Sequence, residues 1–177
     1  MTQATGPSSG QPPASPGSRL PALGPRGEGW VLAQVVLLVV IGIAGAVEVA
    51  GHWPAQPWGA AGFTVGLLAI LAGGLFSVFG IWNLRPSLSP FPRPMPGRIL
   101  VETGVYRLIR HPIYSGLVLA AAGWGLACAS AAALAATVLL ALLFNAKALL
   151  EEGWLCQAYP DYDDYQARTK RFIPHLY

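Results

Sequence analysis

Residues 111–146 read HPIYSGLVLAAAGWGLACASAAALAATVLLALLFNA and contain no formally charged side chain. An α-helix needs about 20 apolar residues to cross the roughly 30 Å hydrocarbon core of a bilayer. A single helix over all 36 residues would be about 54 Å long, so the run has to fold back on itself. Its weakest helical point lies between Gly123 and Ser130, because glycine and serine favour turns. The stretch therefore predicts a hairpin of two membrane helices, at about 113–128 and 131–150.

The rest of the chain is similarly poor in charge. Of its 177 residues, 54% are hydrophobic and only 11% are charged, whereas a soluble domain carries about 25% charged residues. No charge lies between Glu28 and Glu48, or in the 36 residues that precede Arg85. Residues 51–58 hold two prolines and two tryptophans, which is typical of a turn at the membrane surface. Two further spans are predicted, at about 30–50 and 59–82.

The fold class predicted is therefore an all-α integral membrane protein with about four transmembrane helices. The first 29 residues are rich in Pro, Gly, Ser and Ala, so 1–29 is predicted to be a disordered tail rather than a signal peptide. The membrane domain then covers 30–177. Its polar parts are a loop at 83–112 and a C-terminal segment at 151–177.

The distribution of basic residues orients the bundle. Lys and Arg number two in the tail, none in the 51–58 turn, five in the 83–112 loop, none near residue 129, and four from Lys147 onwards. Cytoplasmic segments of membrane proteins retain Lys and Arg, so both termini and the 83–112 loop are predicted to be cytoplasmic. The Ala-, Gly- and Pro-rich style of the chain favours a bacterial inner membrane.

Several classes of partner are disfavoured by the sequence. The net charge of +3 follows from the orientation rule, and no interleaving of basic and aromatic residues suggests nucleic-acid binding. Cys128 and Cys156 are too few for a disulfide framework or a metal site, and the histidines are scattered. No nucleic acid and no metal are therefore expected as partners.

Two polar segments flank the predicted hairpin. Residues 104–116 read GVYRLIRHPIYSG and residues 147–155 read KALLEEGWL. Pro112 suits the first turn of a helix, so Arg110 and His111 would lie at a helix N-terminus, where free N–H groups favour an anion. Because the two helices are antiparallel, both segments return to the same membrane side. We expect a cytoplasmic pocket there, open to lipid, since ionisable groups at membrane depth are usually functional.

Simpler roles compete with this interpretation. Arg107 and Arg110 could be orientation anchors, and Lys147 could extend to the interface. Glu151 and Glu152 are harder to explain in this way, because an acidic pair near a helix C-terminus is unfavourable to the helix dipole.

The second half of the chain carries a set of short elements that occur in a recognisable order. They are Asn83-Leu84, Leu100-Val101, Gly104-Val105-Tyr106-Arg107, Arg110-His111-Pro112-Ile113-Tyr114-Ser115-Gly116, Glu151-Glu152-x-x-Leu155, Tyr162-x-x-Tyr165 and Arg171-Phe172-Ile173-Pro174. With these elements the chain resembles the isoprenylcysteine carboxyl methyltransferase and phospholipid methyltransferase superfamily of integral membrane enzymes. The resemblance covers a little over half of the chain.

The resemblance implies methyl transfer from S-adenosylmethionine bound at the cytoplasmic face. The cofactor contacts that it implies are Arg98, Ile99, Leu100, Val101, Tyr106, His111, Pro112, Ile113, Tyr114 and Glu151, with Glu152 added from the phospholipid branch. In the isoprenylcysteine branch an arginine four residues before the first Glu contacts the substrate. Here that position is Lys147, which keeps the charge but lacks the bidentate fork. Lys147 and Glu151 are the catalytic candidates.

The implied function is a methyltransferase that acts on a lipophilic small-molecule or lipid acceptor, such as a carboxylate or an amine. A sulfonium-bound methyl group is already activated, so the protein mainly positions the reactants and excludes water. We hypothesise that Glu151 or Glu152 pairs with the cofactor's ammonium group. His111 and the helix N-terminus would hold its carboxylate, and Lys147 would orient an anionic substrate group.

Two alternatives remain open at this point. Membrane sterol or steroid reductases have a related C-terminal bundle with an Arg-His-Pro-like element and an Ile-Pro ending, but they use NADPH. The adjacent glutamates and the short chain favour the methyltransferase. A non-catalytic membrane subunit or carrier would not need a pocket that joins His111, Tyr114 and Glu151.

Overall fold

The computed structural model describes residues 21, 23–52, 59–89, 91, 93, 97, 99–174 and 176. Within these ranges the chain forms α-helices and short 3₁₀ helices and no β-strand, which confirms the predicted all-α class. The elements are α1 (Glu28–His52), α2 (Gly59–Leu84), a 3₁₀ helix (Arg85–Ser87), a second 3₁₀ helix (Gly104–Arg107), α3 (Pro112–Ala127), α4 (Ala131–Ala158) and α5 (Tyr162–Arg168). Most of the predicted turn at 51–58 and of the predicted tail at 1–29 lies outside the described residues.

Three of the described helices are long and apolar enough to cross a membrane, at Glu28–Gly51, Gly59–Leu84 and Ala131–Ala158. The chain is therefore an integral membrane protein by the length and composition of its helices. The helix α3 has 16 residues and extends for about 24 Å, which is less than the roughly 30 Å core of a bilayer. The predicted hairpin of α3 and α4 is present, but the predicted count of four spans is not confirmed.

The last long helix continues well beyond its predicted end at residue 150. It runs to Ala158 and includes Gly153, because a single glycine inside a helix costs only about 1 kcal/mol relative to alanine. Glu151 and Glu152 therefore lie inside α4, more than one turn before its end. The expectation that they lie near the unfavourable C-terminal end of the helix dipole is wrong, since that effect is confined to the last turn.

The hairpin turn at Cys128–Ser130 lies where the sequence predicts it. Ala129 adopts a positive φ of 53°, and the backbone N–H of Ser130 donates to the carbonyl of Gly125 at 2.9 Å. The Ser130 hydroxyl accepts from the N–H of Ala133 at 3.2 Å, which caps α4 at its N-terminus. These bonds satisfy one free carbonyl at the end of α3 and one free N–H at the beginning of α4, and they stabilise the turn between the antiparallel helices.

The helices α2 and α3 pack together through small residues. Gly66, Gly73 and Gly80 recur every seven residues along α2, and all three are buried. A Cβ atom added to Gly73 would come within 3.0 Å of backbone atoms of Gly116 and Ala120. The two backbones are thus in direct contact, which is the way that membrane helices commonly approach each other.

The helix α1 lies on the other side of the bundle, mainly against α4. Ile41 joins Leu140 and Phe144 in the buried core, and the indole of Trp124 donates to the carbonyl of Ile41 at 3.1 Å. This arrangement brings the beginning of α1, the end of α2, the beginning of α3 and the second half of α4 to one end of the bundle.

A glycine-to-alanine pair tests the α2–α3 contact. Gly73→Ala is expected to lower the free energy of unfolding by about 1–3 kcal/mol, the usual effect of overpacking. A Cβ atom on the neighbouring Gly74 would meet nothing within 4 Å, so Gly74→Ala is expected to leave stability unchanged or slightly raised. The thermal midpoints of the purified proteins in detergent provide the comparison. Equal losses at both positions would contradict direct backbone contact.

Candidate functional site

The chain after α5 returns to lie along the beginning of α3. Ile109 and Lys170 form a parallel bridge, and the backbone N–H groups of Arg110 and His111 donate to the carbonyls of Lys170 and Arg171 at 2.8 and 3.1 Å. The hydroxyl of Ser115 donates to the carbonyl of Phe172 at 2.8 Å. The backbone N–H of His111, which was expected to be open to an anion, is thus already used within the protein.

Glu152 lies at the centre of a buried ion cluster and is 4% exposed. Arg110 Nε and His111 Nε2 lie 2.9 and 3.1 Å from its Oε1 atom. The guanidinium of Arg171 donates to Oε2 at 2.8 Å, and the amide of Gln166 donates to the same oxygen at 3.3 Å. The cluster therefore ties α4 to the beginning of α3, to α5 and to the chain that follows α5.

Beside this ion cluster lies a cavity of about 360 Å³, within the size range of small-molecule sites. The sequence-predicted residues that line it are Ile99, Leu100, Val101, Tyr106, His111, Ile113, Tyr114, Lys147 and Glu151. Pro112 and Glu152 are buried and are not among the described lining residues. Arg98 lies outside the described residues.

Glu151 presents its carboxylate to the cavity. The hydroxyl of Tyr114 donates to Glu151 Oε2 at 2.9 Å, and His111 Nδ1 lies 3.7 Å from the same oxygen. The ring of Tyr114 stacks on His111, with centroids 5.3 Å apart, and on Phe144, with centroids 4.5 Å apart. Stacking on these two rings fixes Tyr114, and Tyr114 in turn fixes the carboxylate.

Lys147 is 2% exposed and makes a contact that the sequence did not predict. Its Nζ atom donates to Oε1 of Gln34 at 2.9 Å and lies 5.1 Å from the centroid of the Tyr114 ring. Lys147 and Glu151 both line the cavity, as expected for residues four apart on one helical face, but their side chains bond to different helices. Gln34 could have been noticed as the one amide side chain in the apolar stretch between Glu28 and Glu48.

Three tyrosines supply neutral hydroxyl groups around the cavity. Burial raises the pKa of Tyr106, and the nearby carboxylate of Glu151 raises it further. Burial likewise raises the pKa of Tyr162 and of Tyr165, and the Tyr165 hydroxyl donates to the carbonyl of Tyr106 at 2.8 Å. These phenols stay protonated near neutral pH, so they act as hydrogen-bonding groups and not as bases.

The cluster around Glu152 uses residues that the sequence left without a specific role. Arg110 was assigned to orientation or to an anion at the helix N-terminus, Arg171 appeared only as part of a motif, and Gln166 was not noted. The available signal was that a buried carboxylate requires paired donors. Among the described residues, no group of three or more His, Cys, Asp or Glu side chains is arranged to hold a metal ion.

Comparison with protein families identifies a family whose model matches this chain. The model of a family described as phospholipid methyltransferase matches residues 61–162, which is more than half of the 177-residue chain. The matched range contains Tyr106, His111, Tyr114, Lys147 and Glu151, together with the whole hairpin of α3 and α4. It leaves out α1 and residues 163–177.

Two curated bacterial proteins are similar in sequence. The cobalt-zinc-cadmium resistance protein CzcN of Cupriavidus metallidurans is 37% identical over 78 residues, which are 44% of this chain and 36% of that protein. The nickel-cobalt-cadmium resistance protein NccN of Alcaligenes xylosoxydans xylosoxydans is 30% identical over 142 residues, which are 78% of this chain and 62% of that protein. The chain thus spans about a third and about three fifths of the lengths of these two relatives.

Removing the charge of Glu152 tests the ion cluster. Glu152→Gln leaves the guanidinium groups of Arg110 and Arg171 without their carboxylate, and breaking a buried pair in this way typically costs about 3–5 kcal/mol. Glu102→Gln is the matched control, because the Glu102–Arg168 pair is 31% and 64% exposed and such pairs contribute about 0–1 kcal/mol.

Thermal unfolding and limited proteolysis of the C-terminal segment provide the readouts for both variants. We expect a lower midpoint and faster cleavage after α5 only for Glu152→Gln. Wild-type stability in that variant would show that the ion cluster does not hold the segment.

Proposed function

Because the chain belongs to the phospholipid methyltransferase family, we propose that it transfers a methyl group from S-adenosylmethionine to a lipophilic acceptor in the membrane. Membership of the family suggests a membrane methyltransferase. We further propose that S-adenosylmethionine is its cofactor and that its acceptor is lipophilic. The observation that carries it is the cavity at one end of the helix bundle, which Tyr106, Tyr114, Lys147 and Glu151 all line.

The side chains around the cavity fit S-adenosylmethionine. This molecule carries a sulfonium and an ammonium cation, a carboxylate and a flat adenine ring. Glu151 supplies an anion, and the ring of Tyr106 supplies a face that attracts cations. Ile99 and Val101 add apolar surface that suits a flat ring. An acidic and aromatic wall beside apolar residues therefore matches the cofactor's charges and its ring.

The two adjacent glutamates have different surroundings, which supports assigning them different roles. Glu152 is engaged by Arg110, Arg171 and Gln166 behind the cavity wall. Glu151 faces the cavity, with the Tyr114 hydroxyl and His111 beside it. We infer that Glu151 pairs with the cofactor's ammonium group, and that Glu152 holds the residues that surround the cofactor.

When bound, the cofactor supplies a methyl group that is already activated by its positively charged sulfur. The residues of the chain then have to position the acceptor and exclude water. The half-buried apolar side chains of Leu100 and Ile113 line the cavity, where they would help to exclude water from the bound reactants. Lys147, one turn of α4 away from Glu151, provides a cation for an anionic group of the acceptor. No buried side chain of the cavity needs to act as a base if the acceptor is a carboxylate.

The membrane orientation is part of the same proposal. The end of the bundle that holds the cavity also carries the exposed arginines Arg85, Arg93, Arg107 and Arg168. Such residues are retained on the cytoplasmic side, so we place the cavity at the cytoplasmic face, in keeping with a bacterial inner membrane.

Cofactor affinity tests the role of Glu151. Glu151→Gln is expected to weaken binding of S-adenosylhomocysteine or S-adenosylmethionine at least tenfold, which corresponds to about 1.4 kcal/mol. Tyr114→Phe keeps the stacked ring but removes one hydrogen bond, so a loss of several-fold is expected. Isothermal titration of the purified proteins gives the dissociation constants, with Asp164→Asn on the exposed side of α5 as the control. Wild-type affinity in Glu151→Gln would exclude this role.

The choice between methyltransferase and reductase is tested with the ligands themselves. S-adenosylhomocysteine is expected to raise the thermal midpoint of the detergent-solubilised protein, and NADPH is expected to have no effect. The protein is further expected to transfer labelled methyl from S-adenosylmethionine into a total lipid extract, whose labelled product identifies the acceptor. Stabilisation by NADPH alone would instead favour the reductase.

A further inference from the structure

We propose that Gln34 of α1 and Lys147 of α4 together form a subsite for an anionic oxygen group, a carboxylate or a phosphate, on the methyl acceptor. This inference rests on the proposed function and deepens it by naming the acceptor's chemistry. Gln34 lies outside the range that matches the family model, 61–162, and outside every motif in the sequence. Its role therefore follows from the geometry of this chain.

The ammonium of Lys147 has hydrogen-bonding capacity left for a ligand. It carries three donors and no acceptor, and among the described residues its hydrogen-bond partner is the carbonyl oxygen of Gln34, at 2.9 Å. The side chain is 2% exposed and lines the cavity. Two of its N–H groups therefore remain for a bound molecule, and a buried charge of this kind is stable when it is paired.

Gln34 adds further donors to the same wall. The lysine ammonium can only donate, so the oxygen of the Gln34 amide has to face Lys147. The NH₂ group of the same amide then points away from Lys147 and keeps its two donors. Gln34 is partly buried and lines the cavity, and the hydrogen bond to Lys147 is the one that its side chain makes within the described part of the chain. The pair thus offers the remaining N–H donors of both side chains, and a positively charged group of donors binds oxygen anions and repels an ammonium group.

The contact with Gln34 also keeps two opposite charges apart. Lys147 and Glu151 are four residues apart on α4, yet none of the ion pairs among the described residues joins them. Glu151 is bonded to Tyr114 instead, and Lys147 is bonded to Gln34. One cavity can therefore offer an anion to the cofactor and a cation to the acceptor without neutralising both.

The test uses four ligands that share one C18 chain and differ in the head group: oleate, oleyl phosphate, oleyl alcohol and oleylamine. Thermal shift of the cofactor-free protein in an uncharged detergent reports their binding. We expect oleate or oleyl phosphate to stabilise the wild-type protein with at least tenfold higher affinity than the alcohol or the amine. The better of the two anions distinguishes a carboxylate from a phosphate acceptor. No preference for either anion would overturn the proposal.

Two variants of Gln34 assign the preference to this residue. Gln34→Leu removes the donors, and Gln34→Glu keeps a partner for Lys147 but neutralises its charge, so both are expected to lose the preference for anions at least tenfold. Gln34→Glu keeps a hydrogen-bond acceptor for Lys147. A loss of the anion preference in this variant therefore cannot be attributed to misfolding caused by an unpaired lysine. Gln157→Leu and Gln157→Glu make the same changes at an exposed position of α4 and are expected to bind as the wild-type protein does.

Cofactor affinity separates the possible failures. We expect the dissociation constant of S-adenosylhomocysteine to stay within twofold in both Gln34 variants. A tenfold loss would mean that the pair holds the cofactor's own carboxylate, and an unchanged preference for anions in the variants would mean that Gln34 does not contribute; either result overturns the inference. A wild-type protein that binds no S-adenosylhomocysteine would instead overturn the proposed function, while the ligand comparison would still report on the subsite.

Discussion

The pairing of one buried carboxylate, that of Glu152, is the interaction on which the rest of the site depends. A carboxylate that is removed from water has to be matched by charged donors, and here they come from Arg110 near the beginning of α3 and Arg171 after α5. Each donor brings its own segment with it, so one ion cluster orients several parts of the chain. Glu151, the preceding residue, is left to face the cavity. Two neighbouring residues of α4 thus differ in their surroundings. The carboxylate of Glu152 holds segments of the chain together, and the carboxylate of Glu151 faces the cavity, where it can contact a ligand.

The hairpin could be predicted because its determinants are local. The absence of charge over 36 residues and the weak helix formers before Ser130 predicted α3 and α4 with their connecting turn. The end of α4 was placed at residue 150 because the acidic pair Glu151-Glu152 ends the apolar run there, whereas the structure buries Leu150 and Glu152 and continues the helix past them. The seven-residue spacing of Gly66, Gly73 and Gly80 was visible in the sequence, but its partner surface on α3 was not.

The site could be predicted only as far as its motifs reach. Tyr106, His111, Tyr114 and Glu151 were proposed from a resemblance, and the structure brings them to one cavity. Which glutamate faces that cavity depends on Arg110, 42 residues from Glu152 in sequence, and no local pattern encodes such a pairing. The partner of Lys147 is more distant still, at a separation of 113 residues. Polar contacts between residues that are distant in sequence could therefore not be predicted.

The pairing of the chain after α5 with the beginning of α3 has a consequence for folding. The hairpin of α3 and α4 closes through the short turn before Ser130, whereas the hydrogen bond from the Arg110 side chain to the carbonyl of Thr169 closes a loop of 59 residues. Closing a longer loop costs more conformational entropy, so we expect the hairpin to assemble first and the ion cluster to close after it. The last contacts of the site can then open locally without disassembly of the hairpin.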